Sequence, residues 1–187
     1  MKQAWWILAF WLISHQAWSS VTLLELVDYR FDQNLILDAR TQIELPDDVI
    51  EALEHEIPIH LITQLELIRH DQFFVFPFTT RQTTYQYTTV LSYSRFDRHY
   101  QLHNLRNDNR SNFRTLESAL DTFGSLIGFR VANLSELYPG VRYHIRLRFR
   151  LDPWALPAPL YTETLLNRQW HFKSAWFSLP IQTGRRK

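Results

Sequence analysis

The chain is predicted to fold as a mainly β, α+β domain, an antiparallel twisted sheet or sandwich of about seven or eight strands with two short helices. Three observations lead there. Apolar and polar residues alternate with a period of two along much of the chain, the mark of half-buried strands. Tight-turn signals or short helical segments, rather than long crossovers, separate successive runs, which favours antiparallel neighbours. The chain of 187 residues is 45% hydrophobic and 15% aromatic, enough to fill a core at residues 20–180.

Val27, Tyr29 and Phe31 alternate with Asp28, Arg30 and Asp32. Asp32-Gln33-Asn34 reads as a turn. Leu35, Leu37, Ala39, Thr41 and Ile43 then alternate with polar partners, so the two runs predict a hairpin. Pro46-Asp47-Asp48 suits a helix start, because proline presets φ and early carboxylates favour the positive end of the helix dipole. Ile50, Leu53 and Ile57 form its expected apolar stripe, with Pro58 as the stop. A strand is expected from Ile59 to about Arg69, an aromatic loop at residues 73–78, and a long strand from about Arg81 to Tyr93. Ser94 to Asp97 turns that strand into Arg98–Leu105, and Arg106 to Arg110 reads as a polar loop.

Thr115 is the expected N-cap of a second helix carrying Leu116, Leu120, Phe123 and Ile127, ended by Gly128. Tyr138-Pro139-Gly140 signals a turn before the sharpest alternation of all, Val141–Leu151. Pro153 to Pro159 is expected to be extended and non-helical. Trp170 to Phe177 supplies a last strand, and residues 181–187 a loose basic tail.

Residues 1–19 predict export. A weakly basic start (Met1-Lys2-Gln3) precedes an unbroken apolar run from Ala4 to Ile13, and Ala17-Trp18-Ser19 offers small residues at a cleavage site. A membrane-spanning helix needs about 20 apolar residues, so a cleaved signal peptide is favoured over an anchor. Left uncut, the segment would tether the domain to the inner membrane. The expected location is the periplasm. The chain has no cysteine, which excludes disulfides, iron–sulfur clusters, thiolate zinc sites and a lipidated N-terminal cysteine.

Charge is unevenly distributed. Residues 20–72 hold 12 acids and 3 bases, whereas residues 73–187 hold 7 acids and 16 bases. Two readings stand side by side: complementary halves of one domain, or a cationic surface for an anionic partner. The surface in question is one face of Val141–Leu151. Arg142, His144, Arg146, Arg148 and Arg150 point one way, a ridge roughly 36 Å long at strand spacing. Guanidinium forks suit phosphate and carboxylate oxygens. The plainer reading pairs the same arginines across the sheet with the acids of residues 20–72. Phe73, Phe74, Phe76 and Phe78 form a candidate hydrophobic contact loop, against the alternative of burial beneath the proline-rich segment.

No catalytic constellation is apparent, so the chain is not expected to be an enzyme. G-x-S-x-G, S-x-x-K, H-E-x-x-H, P-loop and dinucleotide patterns are all absent. His99 and His103 share a strand face but lie about 13 Å apart, too far for one metal. His60 and His70 lie farther apart still, and His55 and His171 have no evident partner. No cofactor or metal is expected. Export argues against nucleic acid as the partner of the arginine strand.

Taken together, several segments resemble one family. They are YRFDQNLILDARTQIELPDDVIEALEHEIPIHLITQLEL from Tyr29, LSYSRFDRHYQLHNL from Leu91, TLESAL from Thr115, YPGVRYHIRLRFRLD from Tyr138, LPAPL from Leu156 and WHFKSAW from Trp170. In this order they resemble the secreted bacterial proteins of domain-of-unknown-function family 4390, over nearly the whole length after residue 19. The resemblance implies a Gram-negative envelope protein, encoded near sensor histidine kinases, and carries no activity or catalytic residue with it. The expected function is therefore a non-enzymatic periplasmic binding module that contacts anionic lipid head groups or an envelope membrane protein such as a sensor kinase. The alternative is a periplasmic carrier holding a lipid or other hydrophobic ligand in a cavity lined by Tyr143, Phe149 and Phe172.

Overall fold

A computed structural model describes residues 21–73, 76–157 and 167–181. The expected signal segment, Phe74 and the residues beyond Ile181 lie outside the described residues. Among those described, nine strands form two antiparallel sheets, accompanied by two short helices. The smaller sheet has the order β1-β2-β7, with β1 at Val21–Phe31, β2 at Asn34–Ile43 and β7 at Ser125–Asn133. The larger has the order β6-β5-β4-β3-β8-β9. Its strands are β3 (Ile59–Phe73), β4 (Phe76–Ser94), β5 (His99–Asn104), β6 (Asn109–Phe113), β8 (Arg142–Leu151) and β9 (Phe177–Ile181).

One hydrophobic cluster joins one face of each sheet and both helices. Leu35, Leu37 and Ala39 of β2 meet Leu61, Leu65 and Leu67 of β3 and the alternate residues Tyr143 to Leu151 of β8. Tyr143 and Phe149 are almost wholly enclosed. Burying such side chains stabilises by about 1.5–3 kcal/mol each before packing terms. Phe149 meets Phe123 edge-on at 5.4 Å between ring centroids.

Helix α1 (Asp47–Glu54) begins after Pro46, as expected, but its buried stripe is Val49, Ala52 and Leu53. Ile50 is only half-buried and Ile57 lies beyond the helix, because Glu56 takes a left-handed φ of 63° and turns the chain two residues before Pro58. Helix α2 (Leu116–Phe123) is capped by Thr115, whose hydroxyl accepts the Ser118 N–H at 3.2 Å. It stops at Gly124, four residues before the expected Gly128. A β-carbon at Gly124 would sit 2.5 Å from the Thr41 carbonyl oxygen, so only glycine permits this approach of helix to sheet. Ile127 consequently leaves the helix and is 71% exposed on β7.

Other expectations are corrected too. β6 and β7 carry too little alternation to have been read as strands, and raise the strand number to nine. Pro153–Ala155 is a short 3-10 turn, not extended chain, with Asp152 accepting the Trp154 N–H at 3.2 Å. Arg168–His171 is likewise a 3-10 turn, and the last strand is Phe177–Ile181 rather than Trp170 to Phe177. Phe73 ends β3, Phe76 begins β4, and the two are cross-strand partners at the tip of a long hairpin.

Candidate anion-binding face

The face of the larger sheet turned away from the core is where the arginine strand lies. β8 is flanked by β3 and β9, so its outward residues are framed on both sides. The register places Arg150 opposite Ile62, Arg148 opposite Gln64, Arg146 opposite Glu66, His144 opposite Ile68 and Arg142 opposite His70. On the other flank, Ser178 faces Arg146 and Pro180 faces His144.

The ridge is not uniform. Arg142 is exposed, while His144, Arg146, Arg148 and Arg150 are half-buried. Arg146 donates from Nη2 to Glu66 Oε2 at 2.6 Å. Glu66 is 6% exposed, and Arg81 approaches its other oxygen at 3.8 Å. Arg148 donates from Nε and Nη2 to the neutral Gln64 Oε1, at 3.0 and 2.5 Å. Gln64 in turn donates to Gln86 at 2.7 Å. The Arg146 and Arg148 guanidinium groups both lie over the Trp176 ring, 4.7 and 4.1 Å from its centroid. A cation over indole is attracted by the negative ring face.

The cross-strand reading therefore holds for one arginine. Glu66 is the acid of residues 20–72 that pairs with an outward arginine of β8, and Asp152 sits at the strand's end. Against these, Arg81, Arg142, Arg146, Arg148, Arg150 and Lys173 share the face, Lys173 being bridged to Arg150. Burial lowers the Arg148 pKa, and the like charges of Arg150 and Arg146 lower it further. Among the described residues neither Arg142 nor Arg150 meets a carboxylate.

The structure also brings together groups that the sequence separates. His70 Nε2 and His144 Nδ1 are 2.5 Å apart, on strands 74 residues distant in the chain. Each histidine looks isolated in sequence; only the β3–β8 register could reveal the contact. His144 is held below the ordinary histidine pKa by burial, then by His70 and Arg146. Beside this pair, His70, Arg142, Val141, Pro77 and Phe78 line one open cleft of about 520 Å³, together with Asp71, whose carboxylate is paired with Arg69 at 2.8 Å. The arginine strand and the aromatic segment, read separately from the sequence, thus converge at one end of the sheet. Phe78 is 48% exposed; the side chains of Phe73, Phe74 and Phe76 lie outside the described residues. Trp176, Gln64 and Glu66 went unremarked in the sequence, because their role depends on the partner strand.

Chemically, this face can hold phosphate or carboxylate oxygens, with an apolar wall at one end. Among the described residues no group of three histidine, aspartate or glutamate side chains is arranged to hold a metal. Tyr143, Phe149 and Phe172, the lining required by a carrier, belong to the hydrophobic core. No helix among the described residues is long and apolar enough to cross a membrane.

Neither curated proteins nor solved structures match the chain. The family described as Domain of unknown function (DUF4390) matches residues 20–180, and the chain belongs to that family.

Proposed function

We propose that the protein is a non-enzymatic periplasmic binding module whose arginine-lined sheet face docks an anionic partner. The partner is the acidic surface of an envelope membrane protein, such as a sensor kinase, or anionic lipid head groups at the membrane. One observation carries the reading: six cations share the outward face of the larger sheet, and Glu66 alone among the described acids pairs with them in ion bridges. Such a field raises encounter rates with anionic surfaces and weakens with salt. The cleft lined by Phe78, Val141, His70 and Arg142 adds apolar surface next to the charge, which suits an amphipathic contact.

The test uses the strand's two ends, because Arg146 and Arg148 are tied into the sheet. Arg142→Glu with Arg150→Glu reverses both ends, about 26 Å apart at strand spacing. Binding to vesicles containing anionic lipid, absent with neutral vesicles and abolished by the double variant, supports lipid as the partner. Salt-sensitive retention on a polyanionic resin without vesicle binding assigns the face to an acidic protein. Behaviour that is independent of salt and unchanged in the variant sinks the proposal.

A further inference from the structure

A second surface differs in chemistry. An open groove of about 620 Å³ lies where the ends of β1 and β2 meet α1 and α2. Its floor is Ile43, Leu45 and Leu120, all buried, and its walls are Leu24, Ile50 and Leu116. Leu24 is 63% exposed because a β-bulge between Leu23 and Glu25 adds a residue to β1 and turns this side chain out of the ladder. Ile50 and Leu116 are half-buried, each at the groove-facing edge of its helix.

The rim is acidic. Glu44, Glu117 and Asp121 line the groove, and among the described residues no lysine, arginine or histidine does. Glu117 and Asp121 are one helical turn apart, on one stripe beside Leu116 and Leu120. On α1, Asp47 lies three residues before Ile50 and Glu54 four residues after it.

We infer that this groove receives a basic amphipathic helix from a partner protein. The apolar side chains of that helix, spaced at i, i+3 and i+4, fill the trough between α1 and α2, and its lysine or arginine side chains meet the acidic rim. Charge selects this occupant. Anionic bilayers are repelled by the rim. A second copy has no suitable helix among its described residues, since α1 and α2 both expose carboxylates. The inference is independent of the arginine face, which lies on the other side of the larger sheet.

The experiment titrates the full chain with a short amphipathic helical peptide of leucine and lysine, and with its leucine and glutamate counterpart, followed by amide NMR. The leucine–lysine peptide is expected to shift the signals of Leu24, Ile50 and Leu116 and to bind more weakly as salt rises. Glu117→Lys with Asp121→Lys, both at exposed positions, should weaken binding about tenfold, the size expected when two exposed ion pairs become repulsions. Asp97→Lys with Glu136→Lys makes the same charge change elsewhere and should leave binding intact. Equal loss in this control, equal binding of the glutamate peptide, or shifts confined to other residues would overturn the inference. Self-association removed by the groove variant would overturn it in favour of a second copy. Vesicles that shift the same three residues would overturn it in favour of lipid.

Discussion

β1 and β8 carry the same kind of sequence and meet opposite fates. In both, apolar residues alternate with charged or polar ones. In β8 the apolar half, Tyr143 to Leu151, enters the core and the arginines face outward. In β1 the apolar residues Val27, Tyr29 and Phe31 face solvent, at 46%, 39% and 63% exposure. Asp28 and Arg30 sit opposite the buried Leu37 and Leu35. The difference lies in the neighbours. β8 lies between β3 and β9, whereas β1 is an edge strand bound to β2 by a tight turn that sets Phe31 opposite Asn34. β2 must bury Leu35, Leu37 and Ala39, and a register shift of one residue would expose all of them. The stronger apolar face of β2 therefore decides for both strands. Alternation identifies a strand; the partner's register decides which face is inside.

Four measurements would break or sharpen that contrast. Phe149→Ala removes a buried ring from β8 and is expected to destabilise by about 3–5 kcal/mol in chemical denaturation; a loss below about 1 kcal/mol would show that this side of β8 is not core. Glu66→Ala strands Arg146 beside β3 without its carboxylate, with an expected loss of about 2 kcal/mol, and adding Arg146→Met should recover part of it. A denaturation midpoint unmoved by Glu66→Ala would show the pair contributes nothing to the sheet.

The third measurement follows stability against pH. Burial, His70 and Arg146 lower the folded-state pKa of His144, so the unfolded chain takes up its proton first. That contribution is present above about pH 6.5 and is lost as pH falls below it. Replacing His144 by glutamine should flatten the thermal-melting profile across that range; an unchanged slope would remove His144 from the account. The smallest effect is expected on β1, where Phe31→Ser and Val27→Thr should each change stability by no more than about 0.5 kcal/mol. A larger loss would mean that this face is covered in the folded protein.

Much of the architecture was legible in the residues. The β1–β2 hairpin, the Pro46 helix start, the Thr115 cap, the Tyr138-Pro139-Gly140 turn and the two faces of β8 all follow from local chemistry. Gly140 adopts a φ of 78° in that turn, where a side chain would strain. What escaped was set by contacts distant in the chain. Helix α2 ends where Gly124 must pass Thr41, not where the next glycine stands. β6, with the polar sequence NRSNF, is a strand because β5 offers it hydrogen bonds. The site divides in the same way: the arginines were visible as a stripe, but their acceptors Gln64 and Glu66, the Trp176 platform and the His70–His144 contact were not.

By itself, then, the sequence determined that the chain would be mainly β, which residues would alternate, where helices would open and which strand would carry the positive charge. Each of these depends on a residue and its near neighbours, through backbone preference, capping and side-chain period. Only the tertiary structure decided which face of β1 meets water, which arginines are spoken for, and where the acidic groove opens. Those outcomes depend on strand register and on packing between segments tens of residues apart, where burial of the strongest apolar face outweighs the pattern of any single strand.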